Sequence, residues 1–100
     1  MKILEQQIDN INKLCDEHRV KALFAFGSIT KNKLSSDSDI DFVIEIDSSD
    51  PFIYAENYFA FKFRLEKLLK RKIDLLEQKA IKNPFLREEI EKSKIRIYGN

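Results

Sequence analysis

The stretch that most constrains the fold runs from Leu23 to Ile46 and reads LFAFGSITKNKLSSDSDIDFVIEI. An apolar run ends at Gly27-Ser28, a polar and turn-rich segment follows, and Asp39 opens a second apolar run. Short apolar runs that are bounded by turn residues predict two β-strands joined by a loop. The pattern therefore places a Gly-Ser pair at the start of the loop and carboxylates at its end.

The second predicted strand has two chemically different faces, because side chains along a strand alternate with a period of two. The even face is apolar throughout and is predicted to pack on helices: Ile40, Phe42, Ile44 and Ile46. The odd face begins with Asp39 and Asp41, whose Cα atoms lie about 6.6 Å apart at the usual rise of a strand. Two carboxylates at that separation can converge on one hard cation or on a close pair of cations.

Gly27 and Ser28 supply the groups that a phosphate site needs. Glycine lets the backbone take a positive φ and approach a ligand closely. Ser28 adds a hydroxyl, the amides after it can form an anion-binding concavity, and Lys31 adds positive charge. A Gly-Ser pair alone is a weak signal. A Gly-Ser after one strand, with Asp-x-Asp opening the next, predicts a site for a nucleoside triphosphate and metal.

The combination of Gly27-Ser28 with Ser38-Asp39-Ile40-Asp41 resembles the signature of the DNA polymerase beta nucleotidyltransferase superfamily. The short chain resembles the minimal nucleotidyltransferase branch of that superfamily, which is paired with toxins in prokaryotes. The resemblance covers residues 20–74 and, more loosely, the rest of the chain. Many relatives carry an Arg and a Gly just after Gly-Ser, where this chain has ITKN at 29–32. This departure affects the phosphate contacts and leaves the metal site intact.

The resemblance implies an α/β fold with a small mixed β-sheet and helices packed on one side, which leaves the acidic face of the second strand open. It implies ATP as the substrate, two Mg²⁺ ions, and the transfer of AMP onto a tyrosine of a helical HEPN-type toxin, which is thereby neutralised. The residues expected to contact nucleotide are Gly27, Ser28, Lys31 and Ser38, and those expected to hold metal are Asp39, Asp41 and a third acid.

Asp74 is the best match for the third acid. It lies between Ile73 and Leu75 in an apolar segment, 71–77, that reads as the third main strand. A carboxylate there is costly to bury unless it is paired or metal-bound, and the resemblance places the third acid on a strand beside Asp-x-Asp. Glu77 has the opposite parity and is the weaker candidate. A salt bridge to a nearby Lys or Arg is the alternative for Asp74.

Two other interpretations of the acids are weaker. Asp37, Asp39 and Asp41 copy the start of a calcium-binding loop, but Phe42 and Ser48 stand where that loop requires Gly and Glu. The acids could also be ordinary charges at the start of a strand, which the preceding Gly-Ser pair argues against. Two alternative functions stay open: a non-catalytic, nucleotide-binding antitoxin that blocks its partner sterically, and a nucleotidyltransferase that acts on RNA or a small molecule.

Composition excludes several other classes. One hundred residues predict a single domain, 1–100. One cysteine excludes an internal disulfide framework and a cysteine zinc cluster. The net charge of +1 gives no strong nucleic-acid signal. No apolar run approaches the ~20 residues of a membrane span, and the N-terminus has no signal core, so we expect the cytoplasm.

The flanking segments predict helices. The apolar residues within 2–18 recur at helical spacing, which predicts an amphipathic helix. Cys15 is predicted to be a buried, inert thiol, and His18 a solvated charge near the helix end. Residues 51–70 predict a long helix with a broad aromatic band. A deeply packed helix is the favoured interpretation of that band, and an exposed patch for a partner or a base is the alternative.

The last third of the chain is less specific. The basic cluster KLLKRK at 67–72 is typical of a solvated helix end, with a role near phosphate or nucleic acid as the alternative. Residues 84–92 predict a short helix, and KIRIY at 94–98 predicts an edge strand or an extended tail. The side chains of that helix expected to face inward are Phe85, Leu86 and Ile90.

Overall fold

The computed structural model describes residues 2–31 and 39–99, apart from the side chain of Lys31. Short 3-10 helices lie at Gly27–Lys31 and Gln78–Ala80. None of the helices in the described ranges is both long enough and apolar enough to cross a membrane. The other elements, in chain order, are α1 (Lys2–Gln6), α2 (Ile8–Glu17), β1 (Val20–Phe26), β2 (Ile40–Ile46), α3 (Pro51–Leu69), β3 (Ile73–Glu77), α4 (Pro84–Ser93) and β4 (Ile95–Gly99).

The four strands form one mixed sheet with the order β3-β2-β1-β4. β1 is antiparallel to both β2 and β4, while β3 is parallel to β2. A parallel pair needs a long crossover connection, which α3 supplies between β2 and β3. The small mixed sheet that the resemblance implies is confirmed.

The even face of β2 packs on helices, as its alternation predicts. Ile40, Phe42 and Ile44 have no exposed surface. Burying an apolar side chain of this size contributes about 1.5–3 kcal/mol, so this face fixes which side of β2 carries the carboxylates. The helical residues of the same core come from α1, α2 and α3: Leu4, Ile11, Cys15, Phe61, Leu65 and Leu69.

The opposite face of the sheet is covered in part by α4. Ile90 of α4 and Ile81 pack against Phe26 of β1 and Val43 of β2 in a second, smaller apolar cluster. The expectation that helices pack on one side therefore holds for α1, α2 and α3, and α4 is the exception. Its packing leaves the acidic end of β2 at the border of this second cluster, because Asp41 lies two residues before Val43.

The ends of α3 follow from its sequence. The Oδ1 atom of Asp50 accepts hydrogen bonds from the backbone N–H groups of Phe52 and Ile53, at 2.9 and 3.3 Å. Pro51 takes the first helical position, where no N–H is needed. Lys70 ends the helix in the left-handed conformation, with a φ of 57°.

The interpretation of α3 as a deeply packed helix is wrong for part of its aromatic band. Phe61 is fully buried, whereas Phe52, Phe59 and Phe63 are 87%, 65% and 58% exposed. One face of the helix meets the sheet, and the aromatic residues of the other face remain at the surface.

The inward-facing residues predicted for α4 are only partly correct. Ile90 is buried, but Phe85 and Leu86 are exposed. Of the apolar residues of α4, only Ile90 lies in the cluster on that face of the sheet.

The prediction for Cys15 is confirmed, and the prediction for His18 is not. Burial, followed by the Asp16 carboxylate, raises the pKa of the Cys15 thiol to about 12, which confirms a buried and inert thiol. The prediction of a solvated His18 is wrong, because the side chain is buried. Its Nδ1 atom lies 2.8 Å from the carbonyl oxygen of Leu14, and its ring packs edge-on against Phe61.

Candidate active site

The turn after β1 brings the backbone of Gly27 against a carboxylate. Gly27 has a φ of 75°, and a Cβ atom at this position would lie 2.9 Å from Oδ2 of Asp41. Its N–H donates to Oγ of Ser93 in α4 at 3.2 Å, and its carbonyl accepts from Oγ1 of Thr30 at 2.8 Å. Only glycine permits this approach without strain, so the turn is fixed in place directly beside Asp41.

Asp41 lies near the start of the interior strand β2, between this turn and Asp74. In the antiparallel pair of β1 and β2 it faces Phe26, the residue before Gly27. In the parallel pair of β2 and β3 it faces Asp74. Neighbouring strands lie about 4.8 Å apart and paired residues share a face, so these two carboxylates are close. Asp39 shares the parity of Asp41 and immediately precedes β2.

Asp41 is affected by burial and by two neighbouring carboxylates. Burial raises the pKa of Asp41, and the carboxylates of Asp74 and then Asp39 raise it further. Asp39 and Asp74 are exposed, while Asp41 is half-buried. Because two like charges disfavour the ionised form of Asp41, a cation placed among the three would stabilise it.

The donor chemistry of these residues fits a hard divalent cation. Aspartate oxygens are the protein ligands that Mg²⁺ prefers. Burial, and after it the Asp74 and Asp39 carboxylates, raise the pKa of Asp41. Within the described ranges, no group of three His, Cys, Asp or Glu side chains is arranged to hold a metal ion.

The predicted nucleotide contacts are only partly covered by the described residues. Ser28 is exposed and follows Gly27 in the 3-10 helix Gly27–Lys31. Lys31 closes that helix, but its side chain lies outside the described part of the chain, as does the whole of Ser38. The phosphate contacts of these residues stay predictions.

Glu77 lies away from the acidic end of the sheet. It pairs with Ile44, three positions along β3 from Asp74. Burial, and next the Glu77 carboxylate, raise the pKa of the Tyr54 hydroxyl to about 12. Since Tyr54 packs against the main core on the α3 side, Glu77 faces that side, and Asp74 is the better partner for Asp41.

Two residues that position the site carry no local signal in the sequence. The Ser93 hydroxyl accepts from the Gly27 N–H and donates to the Glu89 carbonyl at 2.9 Å, although Ser93 is 66 residues from Gly27. The carbonyl of Lys72 accepts from the Ile40 N–H at 3.2 Å and so joins the starts of β2 and β3. Both contacts depend on how α4 and β3 pack, which sequence reasoning missed.

Residues 8–97 match the nucleotidyltransferase domain family. The chain belongs to this family. A relative from Methanocaldococcus jannaschii, assigned as a protein adenylyltransferase, is similar to this nucleotidyltransferase domain. The two are 34% identical over 84 residues, which is 84% of this chain and 83% of the relative.

Two solved structures share the fold of this nucleotidyltransferase domain. One, of a protein assigned as a minimal nucleotidyltransferase, matches with a TM-score of 0.77 at 23% identity, over 94% of this chain and 92% of that chain. The other is the complex of a tri-AMPylated Shewanella oneidensis HEPN toxin with an MNT antitoxin. It matches with a TM-score of 0.65 at 16% identity, over 96% of this chain and 72% of that chain. The fold is that of a minimal nucleotidyltransferase.

Replacing Gly27 by Ala tests the close approach of the turn in this nucleotidyltransferase domain. A side chain in the left-handed region costs about 1–2 kcal/mol, and the new Cβ would also displace the Asp41 carboxylate. We expect the free energy of unfolding to fall by about that amount in urea titrations, because the turn cannot relax without moving Asp41. Ser28→Ala, which leaves the backbone unchanged, is the control. Equal stability of Gly27→Ala and wild type would contradict the strained turn.

Proposed function

We propose that this chain is a Mg²⁺-dependent nucleotidyltransferase that moves AMP from ATP onto a hydroxyl group of a partner protein. We propose further that it acts in this way as the antitoxin of a HEPN-type toxin. The observation that carries the proposal is the position of Asp41, which lies between the Gly27 turn and Asp74 where β1 ends and β2 and β3 begin. A phosphate-binding turn beside paired carboxylates is the arrangement that phosphoryl transfer needs.

The strand order gives the site two flanks. Gly27 and Ser28 follow β1 on one side of Asp41, and Asp74 lies on β3 on the other side. We assign the β1 flank to the triphosphate, because a glycine backbone and a hydroxyl suit phosphate oxygens. The β3 flank is then left for the acceptor hydroxyl, and the two reactants meet over Asp41.

Asp39, Asp41 and Asp74 are the residues that would hold two Mg²⁺ ions, which would neutralise charge on the phosphate oxygens and lower the pKa of the acceptor hydroxyl. The protein's own groups position the reactants. Gly27 and Ser28 orient the triphosphate, while Asp74 orients the acceptor hydroxyl and takes its proton.

The transfer itself exchanges one phosphorus–oxygen bond for another. The acceptor oxygen forms a bond to the α-phosphorus of ATP. The bond from that phosphorus to the oxygen bridging to the β-phosphate breaks, and pyrophosphate leaves with the electron pair. The proton of the acceptor hydroxyl passes to the Asp74 carboxylate and from there to water.

The proposed partner has support from two proteins that this chain resembles. One relative is assigned as a protein adenylyltransferase. One structural neighbour is an MNT antitoxin in complex with a HEPN toxin that carries three AMP groups. We therefore include repeated transfer to one partner in the proposal, beginning with a tyrosine hydroxyl.

The proposal is tested by following a label. The protein is incubated with Mg²⁺, ATP labelled at the α-phosphate, and a HEPN-type candidate partner, sought first in the neighbouring reading frame. We expect label on that partner, and none when the label is on the γ-phosphate, because the γ-phosphate leaves with pyrophosphate. Neutralisation of the partner without label would favour the steric antitoxin, and label on RNA or a small molecule would favour the third alternative.

ATP together with Mg²⁺ is expected to raise the melting temperature. A ligand that binds only the folded state at 100 times its Kd adds about 2.7 kcal/mol, and each kcal/mol shifts the melting temperature of a domain this size by about 4–8 °C. EDTA should remove most of the gain, because the neighbouring carboxylates repel a triphosphate when no cation lies between them. Differential scanning fluorimetry measures the shift. Equal stabilisation by ATP in EDTA would contradict the metal-dependent site.

A further inference from the structure

The outward face of α3 carries aromatic rings that have no part in the roles assigned above. Phe52, Phe59 and Phe63 are each more than half exposed. They are seven and four residues apart, so at about 100° per residue they lie within about 40° of one another around the helix. At about 200 Å² for each phenylalanine, the exposed parts of the three rings amount to about 400 Å². We call these three residues the aromatic stripe; an exposed apolar surface of that size marks a contact with another molecule.

Two rings of the aromatic stripe are held in place by neighbouring side chains. The ring of Tyr58 packs edge-on against Phe59, with 5.0 Å between the ring centroids, and the Tyr58 hydroxyl is itself fixed by donating to the carbonyl of Leu75. Nζ of Lys67 lies 4.6 Å from the ring centroid of Phe63. Side chains that are already ordered lose less conformational entropy when another molecule covers them, so these rings are suited to form a contact.

Opposite charges flank the rings at matched distances along the helix axis. Phe59 and Phe63 lie two residues to either side of Phe61, the buried residue at the level midway between them. Glu56 lies five residues before that level and Lys67 six residues after it, and both are exposed. At about 1.5 Å per residue, the rings are about 3 Å from the midpoint, and the acid and the base are about 8 and 9 Å from it. The two halves of this face therefore match in spacing and are opposite in charge.

We propose that the aromatic stripe is a homodimer interface, in which α3 of one copy packs antiparallel to α3 of a second copy about a two-fold axis at the level of Phe61. This axis sets Phe59 against Phe63 of the second copy and Glu56 against Lys67 of the second copy, and each pair occurs twice. A two-fold interface must be complementary to itself, and the matched spacing meets that requirement. A parallel pair would instead set each charge against its own kind, and a partner of another kind would not require matched spacing.

The proposed interface lies on the other side of the sheet from the acidic site, so it does not rest on the proposed function. Phe61 and Leu65 of α3 pack in one core with the even face of β2, whereas Asp41 lies on the odd face. The sheet therefore separates the interface from the carboxylates, and the acidic sites of the two copies face away from each other. Dimerisation should leave the transfer rate per chain unchanged.

Sedimentation velocity tests the association. The exposed rings supply about half of the 800 Å² that each partner contributes to a standard interface, so we expect a reversible dimer with a Kd in the micromolar range. Wild type should change from monomer to dimer between about 1 µM and 1 mM. Phe59→Ala should raise the dimer Kd about tenfold or more, because the change occurs twice in a symmetric dimer. Phe85→Ala, which removes a 78% exposed ring from α4 on the opposite face of the sheet, should dimerise as wild type does.

Charge exchange tests the antiparallel arrangement. Glu56→Lys and Lys67→Glu each set like charges against each other, so each should raise the dimer Kd about tenfold. An equimolar mixture of the two variants should dimerise about as well as wild type, because a dimer with one copy of each restores both pairs of opposite charges. Glu5→Lys and Lys13→Glu make the same charge reversals at exposed positions outside α3, and should match wild type both alone and when mixed.

Several results would overturn the homodimer. They are a wild type that stays monomeric up to about 1 mM, a dimer that Phe59→Ala does not weaken, and a mixture of charge variants that associates no better than either alone. A monomeric wild type whose binding to a HEPN-type candidate partner is lost in Phe59→Ala would also overturn it and would assign the stripe to that partner. A wild-type dimer without transfer activity would overturn the proposed function and leave the interface supported.

Discussion

The double variant Asp39→Asn, Asp41→Asn is expected to lower nucleotidyl transfer by about a thousandfold or more and to remain folded. Loss of the carboxylates that would hold metal withdraws several kcal/mol of transition-state stabilisation, and each 1.4 kcal/mol is about tenfold in rate. The fold survives because neither residue belongs to an apolar core. Transfer of α-labelled AMP and circular dichroism measure the two effects.

The same variant is expected to be more stable than wild type at neutral pH in EDTA. Burial and the neighbouring carboxylates raise the pKa of Asp41 in the folded protein, so the folded state binds this proton more tightly than the unfolded chain. The contribution of Asp41 to the free energy of unfolding is then greatest below the ordinary pKa of Asp, about 3.9. It falls as the pH rises through the raised pKa of the folded protein. The added stability of the Asn variant therefore appears at a pH above that raised pKa and vanishes below about pH 3.9.

Asp47→Asn is the matched control, because Asp47 is exposed and lies just beyond the other end of β2. It should leave transfer and stability unchanged. Urea titrations at neutral and acid pH follow the pH dependence. A double variant that unfolds, or that is less stable at neutral pH, would show that Asp39 and Asp41 serve the structure. Transfer near the wild-type rate would remove them from the active site.

The elements that sequence predicts well are those with local causes. β2 follows from the strict alternation of its side chains, and its apolar face can be buried only against the helices of the core. The start of α3 follows from the Asp50 side chain and Pro51, which satisfy the first turn within three residues of the chain. Each of these signals lies within the segment that it shapes, so distant packing was not needed to interpret it.

The burial of individual aromatic residues could not be predicted, because it depends on how a helix is rotated against the sheet. Two residues along an α-helix are about 200° apart. Once Phe61 enters the core, Phe59 and Phe63 must therefore point away from it. A helix with apolar residues on both sides does not reveal which side is buried. His18 shows the reverse case, since packing against Phe61 buries a residue that its sequence position left at a helix end.

The site was predictable in its parts but not in its assembly. The parity of Asp39 and Asp41 is a property of one strand. The pairing of Asp41 with Asp74 needs the register between β2 and β3, and a slip by one residue would turn Asp74 to the other face. The structure supplies that register. The contact of Ser93 with Gly27 needs the docking of α4, for which neither segment carries a signal.

The variant Asp74→Asn is expected to cut the transfer rate by about 10²–10⁴, which is the usual worth of proton transfer by a positioned side chain. Asp74 lies on the flank opposite Gly27. Under the proposed function it would therefore serve the acceptor more than the triphosphate. Affinity for ATP should fall much less, because Asp39 and Asp41 remain. An interaction that matters mainly in the transition state appears in kcat, and little in KM.

Glu77→Gln is the control for Asp74→Asn, since it removes a carboxylate from the same strand on the side that faces Tyr54. Its transfer rate should match wild type. Steady-state kinetics with α-labelled ATP, together with calorimetric titration of ATP and Mg²⁺, separate rate from affinity. An equal loss of binding and turnover in Asp74→Asn would place Asp74 among the groups that hold the triphosphate. Full activity of Asp74→Asn with inactivity of Glu77→Gln would show that Glu77 is the third acid of the site, against the pairing of Asp74 with Asp41 across β2 and β3.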